Sequence, residues 1–403
     1  MRIQKPFDIV IYSPWSGNKN DKRKLRHYNF IRAIENKYDK RLCLIVENTC
    51  LKYEINNLAG LNSQIIYIPA FDVANGSHKK IKRLASMILY PLIAIFILIF
   101  NKSVRNAAGY WVSSPHPGAT IVGIVASFFR SNILYEIRDP WPELPIKTGL
   151  IKEGSVAAKI FKKIDVLAQK RSKVILLTSA TLKKYLRSES LKKSIVVSNG
   201  LLEDQVQRYD HDFMKGGVLR LVFAGGCARA FRMDIIFKAI SIALKDNSDL
   251  QIKFSLYIDP IEQIRFKKIV NKLGINNNIS FNNKQSYNEM LSAIKKSDFY
   301  ILHITDEEVF REDINSNKLL DAFACLKPVI FAANTKLDHI KLSGAGICSE
   351  PDSVKKLASS IVKASKLSKE NYALMVIKMD EYLKQNLLIE SKAKLIYQHI
   401  SNG

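Results

Sequence analysis

Cysteine is scarce in this 403-residue chain. Cys43, Cys50, Cys227, Cys325 and Cys348 are odd in number, scattered, mostly in apolar contexts, and no pair has zinc-finger spacing. That excludes a disulfide framework and reads as reduced core residues of a cytosolic protein. No secretory leader is expected either: "MRIQKPFDIVIYS" carries an apolar run of strand length that stops at Ser13 and Pro14. Acidic residues are in deficit, 37 against 62 Lys and Arg, which leaves a net charge of +25. The excess implies an anionic partner, whether nucleic acid, membrane surface or phosphorylated substrate. No nucleic-acid-binding motif accompanies the charge, so nucleic acid is not expected.

Long hydrophobic runs are missing with one exception. "LASMILYPLIAIFILIF" (84–100) is seventeen uncharged residues with Pro91 near its middle, preceded by Lys79, Lys80, Lys82 and Arg83. It falls short of the roughly 20 residues a spanning helix needs. A span would also put the strands before and after it on opposite sides of a membrane and split one sheet. Two readings remain: a helix buried on all sides in a core, or one lying in a membrane interface with its basic flank on anionic headgroups. The second is preferred.

The rest of the chain is well supplied for folding. Hydrophobic residues make up 47% of it, enough for real cores, and its length favours two domains. Short β-branched runs alternate with amphipathic stretches. Strands are expected at 7–13, 41–48, 64–70, 109–114, 132–137, 173–179 and 194–198, then at 219–226, 251–258, 278–283, 298–304 and 327–333. Near-continuous apolar strands between helices argue for parallel sheets covered on both faces, hence two doubly wound α/β domains. The polar stretch 201–217 reads as the linker, and about 369–400 as helix with no strand after it. The expected division is 1–205, 206–372, and a C-terminal helix 373–403 returning towards the first domain.

In such domains ligands bind beyond the carboxyl ends of strands. After the first strand, "SPWSGNKNDKRKLRHYNF" offers Gly17 for close backbone approach, and Arg26 and His27 at a helix start; the segment lacks a clustered-glycine phosphate loop, and Lys22 to Arg26 read better as a basic solvated helix face. After the fourth, His116 stands between two prolines, either an acid, base or donor or a capped loop residue. After the fifth, "EIRDPWPELP" puts Glu136, Arg138 and Asp139 before Pro140, Trp141 and Pro142. Charges at a buried strand end need partners, so these line a functional crevice or form a structural Arg138–Asp139 pair.

In the second half, "FAGGCARAFRMD" places Gly225 and Gly226 at a strand-to-helix turn with Arg229 and Arg232, a set suited to a diphosphate. Further on, "DINSNKLLDAFACLKPVI" (313–330) carries Asp313 and Asp321 eight positions apart. Ser316 is a good N-cap, so Asn317, Lys318 and Leu319 form a first turn whose amides favour an anion. A carboxylate at Asp321 can accept two ribose hydroxyls, and Asp313 can reach a sugar. The alternative is a helix-start charge with a lysine partner. "DHD" (210–212) resembles a metal pair but sits in the linker, so no metal site is expected.

These motifs resemble those of family 4 glycosyltransferases of the GT-B fold, the bacterial surface-polysaccharide type, over nearly the whole chain. "NKLLDAFACLKPVI" resembles the family's Asn/Ser-Lys-Leu-Phe-Glu/Asp-Tyr-Met-Ala-Ala-Gly-Lys-Pro-Val-Ile, and "EIRDPWPELPIKTG" its Glu-Val-Arg-Asp-Leu-Trp-Pro-Glu-Ser. "LRHYNFIRAI", "FAGGCARA" and "IVVSNG" are similar to three further family stretches. The resemblance implies two Rossmann-like domains facing an interdomain cleft, with the nucleotide sugar on the C-domain and the acceptor on the N-domain. It also implies retention of anomeric configuration and no bound metal or cofactor. Asp321 would hold the ribose and Asp313 would face the donor sugar. Lys318, the helix-start amides and Arg229 would take the diphosphate. Asp139 would lie near the reacting centre on the acceptor side, where Arg138, Trp141, Gly17, Arg26 and His27 also fall.

The chain departs from the family pattern in places. Both family glutamates are aspartates, the family's arginine and lysine fall at Gly226 and about Phe231, and Leu326 replaces a helix-ending glycine. The expected activity is transfer from a nucleoside-diphosphate sugar, UDP preferred over GDP, to a polyprenyl-diphosphate-linked or lipopolysaccharide glycan on the cytoplasmic face of a bacterial inner membrane. A nucleotide-sugar epimerase of the same fold, and a non-catalytic membrane-surface protein, are the alternatives. Base recognition is expected near residues 282–284.

Overall fold

The computed structural model describes residues 5–16, 26–48, 53–58, 61–71, 79–147, 149–314 and 316–401. The side chains of 79–81, 83, 84 and 401 lie outside that description. The chain divides into two compact units: Met1–Asn199 together with Ile389–Gly403, and Gly200–Leu388. The divisions expected from the sequence lie at 205 and 372. The contacts divide at 199 and 388, because Leu201 pairs with Leu388 and the helix after it packs in the first unit.

The first unit holds an eight-stranded sheet of β1 (Ile9–Tyr12), β2 (Leu42–Asn48), β3 (Glu54–Asn57), β4 (Gln64–Pro69), β5 (Gly109–Ser113), β6 (Ile133–Ile137), β7 (Val174–Leu177) and β8 (Ser194–Val196). The order is β3-β4-β2-β1-β5-β6-β7-β8. All pairings are parallel except that of the edge strand β3 with β4. Its helices are α1 (Arg26–Tyr38), α2 (Lys79–Phe100), α3 (Lys102–Arg105), α4 (Pro117–Ala126), α5 (Glu143–Lys147), α6 (Val156–Arg171) and α7 (Ser188–Lys192).

Strand alternation sorts the two faces. Val10, Tyr12, Tyr110, Val112 and Tyr135 share a core with Tyr90, Ala94 and Leu98 of α2 and with Ala119 and Val122 of α4. Trp111 points the other way, its ring 5.4 Å from Phe30 and 4.9 Å from His27 of α1. Glu136 follows the same alternation on β6 and faces α1 as well.

The apolar run is one helix, α2, with Pro91 inside it. A Cβ on Gly118 of α4 would lie 2.7 Å from Pro91 Cδ, so the two helices meet at a contact that only glycine permits. The helix is not buried all round. Ile88, Leu92, Phe96 and Phe100 are exposed at every fourth position, and among the described residues no helix is long and apolar enough to cross a membrane.

The second unit holds a six-stranded parallel sheet of β9 (Val218–Ala224), β10 (Gln251–Ile258), β11 (Ile279–Asn283), β12 (Phe299–His303), β13 (Val329–Ala332) and β14 (Gly346–Ser349), in the order β11-β10-β9-β12-β13-β14. Its helices are α8 (Met233–Asp246), α9 (Pro260–Leu273), α10 (Tyr287–Lys295), α11 (Asn317–Ala324), α12 (His339–Ser343), α13 (Val354–Ser365) and α14 (Lys369–Asn386). The expected single C-terminal helix is two. After α14 the chain turns at Leu387 and Leu388, and α15 (Ile389–Ser401) packs on α1 in the first unit. Strand order reverses between β1 and β5 in one sheet and between β9 and β12 in the other, which marks the carboxyl ends of those strands as ligand positions.

Candidate functional site

At the first switch point the serines that end β1 and β5 meet the start of α1. Glu136, with no exposed surface, is the centre of the group. Its Oε1 accepts from Arg26 Nε at 2.8 Å. Its Oε2 lies 2.8 Å from His27 Nε2 and accepts from Ser113 Oγ at 2.7 Å. Burial alone would raise this carboxyl, but Arg26 and His27 override it and hold the group well below the usual carboxylate range. Burial lowers the His27 pKa, with Glu136 opposing. A neutral His27 therefore donates from Nε2 to Glu136 and accepts at Nδ1 from Ser16 Oγ, 2.9 Å away. Ser16 Oγ is in turn 2.7 Å from Ser13 Oγ.

Arg26 also donates to the carbonyls of Val197 (2.6 Å) and Ser198 (3.0 Å) and to Asn199 Oδ1 (3.1 Å). Lys392 of α15 completes the group, with Nζ 2.9 Å from Ser198 Oγ and 2.7 Å from the Asn199 carbonyl. Burial, reinforced by nearby Arg26, brings its pKa down to about 7.

Of the expected first-unit residues, Arg26 and His27 are thus brought together. Gly17 lies outside the described residues. His116 is buried and caps α4, its Nδ1 accepting from Ala119 N at 3.3 Å, while Nε2 lies 3.3 Å from Glu47 Oε1. Trp15 and Tyr90 sit edge-on to its ring at 5.3 and 5.2 Å. Asp139 is exposed; the chain crowded around its carboxyl raises its pKa, with Arg138 opposing. Trp141 packs edge-on to Phe161 of α6 at 5.6 Å. Glu136, one of the strand-end charges, finds its partner in Arg26, a pairing across 110 positions that local spacing does not reveal. Lys392 gave no signal, because nothing in its helix marks it off from other surface lysines.

In the second unit, Gly225 takes φ 105°, a conformation costly for residues with a side chain, and its N–H donates to the Tyr257 carbonyl. Gly226 has ordinary φ, and a Cβ there would meet nothing within 4 Å. Ser316 caps α11 as expected, accepting from Lys318 N. Lys318 Nζ stands 4.5 Å from the Phe231 ring centroid and 5.5 Å from that of Phe223. The start of α11, carrying Asn317, is therefore folded against the turn that carries Gly225, Gly226 and Arg229.

Asp321 is buried on the same helix, and Asp313 is buried where it bridges to Leu337. Arg229 is exposed at this turn. Arg232 is engaged: left-handed itself (φ 36°), it grips Asp234 through two hydrogen bonds of 2.9 and 3.0 Å and faces Asp352 at 3.7 Å. Sequence reasoning missed His303, which ends β12 fully buried and accepts from Asp352 N at 2.9 Å. A histidine closing an apolar strand was the available signal. Among the described residues no group of His, Cys, Asp and Glu is arranged to hold a metal.

No family model and no curated protein matches the chain. Solved structures do match in fold. Sucrose-phosphate synthase from Thermosynechococcus elongatus superposes with a TM-score of 0.67 at 13% identity, covering 98% of both chains. The HepE protein of Anabaena, in complex with UDP and glucose, gives 0.63 at 15% identity, covering 98% of this chain and all of that one. A glycosyltransferase from Rickettsia africae gives 0.65 at 16%, covering 98% of each. The chain thus has the fold of GT-B glycosyltransferases, two parallel-sheet Rossmann-like halves.

Proposed function

We propose that this chain is a retaining glycosyltransferase that moves a sugar from a nucleoside-diphosphate sugar to a lipid-linked glycan in bacterial surface-polysaccharide synthesis. One observation carries the reading: Lys318 of "NKLLD" rests on Phe231, beside the two-glycine turn of "GGCARA", at a topological switch point. Two distant stretches are thereby joined into one place suited to a diphosphate. Lys318, Arg229 and the capped start of α11 meet the phosphates, and open space at Gly226 lets them approach the backbone. Asp321 takes the ribose hydroxyls and Asp313 faces the sugar.

In the transfer, an acceptor oxygen bonds to the anomeric carbon as the bond to the diphosphate oxygen breaks. The nucleoside diphosphate leaves, and one of its oxygens takes the acceptor's proton. Cations fixed in advance stabilise the charge that develops on the leaving group, which removes the need for a metal. The first unit supplies the acceptor side through Arg138, Asp139 and Trp141. UDP is the preferred carrier, the nucleotide found with the HepE neighbour. The exposed apolar stripe of α2 and the net charge of +25 support a seat on the cytoplasmic face of the inner membrane.

The test is thermal stabilisation by UDP, GDP, ADP and CMP in the presence of chelator. A ligand that binds only the folded protein stabilises it by about 2.7 kcal/mol at a hundred times its Kd. UDP should raise the Tm of the wild type and leave that of Asp321→Asn unmoved. No shift with any of the four at millimolar concentration would overturn the donor reading.

A further inference from the structure

Glu136, Arg26 and His27 of the first unit form one connected buried group with Lys392 at its edge, and the transfer chemistry above uses none of its central members directly. Glu136 touches Arg26, His27 and Ser113 and is sealed from solvent. Through these partners it joins three strand ends: Ser13 to Ser16 after β1, Ser113 on β5, and its own position on β6. Arg26 extends the group to the segment after β8. There the carbonyls of Val197, Ser198 and Asn199 are each held by a cationic side chain, the first two by Arg26 from α1 and the third by Lys392 from α15. Asn199 is also where the chain leaves this unit.

A core that needed only stability would be served as well by apolar side chains of the same volume, because buried ion pairs gain little over well-packed hydrophobics. Directional hydrogen bonds at the carboxyl ends of strands do something apolar packing cannot: they fix the angles of the loops that leave those ends.

We infer that Glu136 and Lys392 are positioning residues for the proposed transfer, acting through Arg26 and His27 to hold the acceptor-side segments 13–16, 113–114 and 197–199 in one arrangement. The inference rests on the reading of the first unit as the acceptor side. Neither residue touches substrate. In Glu136→Gln the charge opposite Arg26 is lost, and one face of the new amide presents N–H groups to Ser113 or His27. In Lys392→Met the Ser198 hydroxyl and the Asn199 carbonyl lose their donor, whereas Lys392→Arg keeps one within reach.

The experiment has two arms on the full-length protein. In the first, hydrogen–deuterium exchange compares wild type, Glu136→Gln, Lys392→Met and Lys392→Arg. Exchange should quicken at 13–16 and 197–199 in the first two variants, stay at the wild-type rate across β9 to β14, and be largely restored in Lys392→Arg. In the second, UDP release from UDP-glucose is followed with a detergent-dispersed polyprenyl-diphosphate-linked glycan, beside the UDP-induced thermal shift. Glu136→Gln should lose tenfold or more in kcat with a raised acceptor KM, while its UDP shift stays that of the wild type.

Ser113→Ala, which removes one hydrogen bond and no charge, should move the same quantities less and guards against a variant that does not fold. Unchanged exchange at 13–16 and 197–199 overturns the inference whatever the acceptor. So does an unchanged kcat in an active protein. A wild type with no UDP shift sinks the glycosyltransferase reading instead, and the two failures are thereby told apart.

Discussion

Gly225 and Gly226 stand side by side but answer to different constraints. The first is left-handed at φ 105°, so any side chain there strains the turn. The second has free space where a Cβ would lie, and the fold does not require it to be glycine. Gly225→Ala should therefore lower stability by about 1–2 kcal/mol in denaturant titration. Gly226→Ala should leave the midpoint unchanged yet weaken the UDP-induced thermal shift, because its methyl group occupies the room a diphosphate would enter. An unaltered UDP shift in Gly226→Ala would move the phosphates elsewhere.

Lys327 shows a second residue whose letter hides its environment. It reads as the polar start of a strand, but its ammonium is buried and donates to the carbonyls of Ser297 (2.5 Å) and Lys295 (3.3 Å), which close α10. Burial lowers its pKa from 10.5 to about 8, with Asp298 opposing. Between those values the unfolded chain binds more protons than the folded one, so this group makes stability rise with pH from about 8 to 10.5 and contributes a constant penalty below. Stability of the wild type measured from pH 7.5 to 10 should accordingly climb relative to Lys327→Met, by at most about 3 kcal/mol. Parallel curves for the two proteins would contradict the assignment.

The strand-end charges make the general point about legibility. That Glu136 needed a partner could be read from its strand; that the partner was Arg26 could not, because only the sheet order brings positions 26 and 136 together.

Among the elements, α11 was legible almost entirely, cap included, because its signals are local: Ser316 before the helix, an apolar face within it. Leu326 behind it is left-handed at φ 45°, where glycine is usual, and its buried side chain offsets that strain. Edge elements were harder. β3 reads "EINN", too polar to announce a strand, and forms by pairing with β4. β14 reads "GICS" and is recognisable only beside β13, where Gly346 allows its backbone to approach Val329 closely. Pro91 is accommodated inside α2, where it meets Gly118 of α4. Gly118→Ala would set a methyl 2.7 Å from Pro91 Cδ and 2.9 Å from His116 Cε1. It should cost about 1–3 kcal/mol as the helices part. Denaturation of the variant measures that cost, and a midpoint equal to the wild type would mean that α2 is free to shift.

For the molecule as a whole the governing quantities are its charge and the exposed apolar side of α2. A stripe of Ile88, Leu92, Phe96 and Phe100, each more than half exposed, is costly in water and rewarded in a lipid interface. A surplus of 25 positive charges attracts an anionic surface at about 1 kcal/mol for each Lys or Arg that comes near it. The two contributions separate experimentally, because salt screens the second and not the first. In vesicle sedimentation the wild type should bind phosphatidylglycerol-containing vesicles better than purely zwitterionic ones, and less as salt is raised. Leu92→Glu combined with Phe96→Glu places two carboxylates in the stripe without touching a core, so the Tm should hold while binding falls tenfold or more. If the double variant sediments like the wild type, charge alone carries the attraction and α2 has no part in it. If neither protein distinguishes the two vesicle types, the basic surplus serves the substrate's phosphates instead of the membrane.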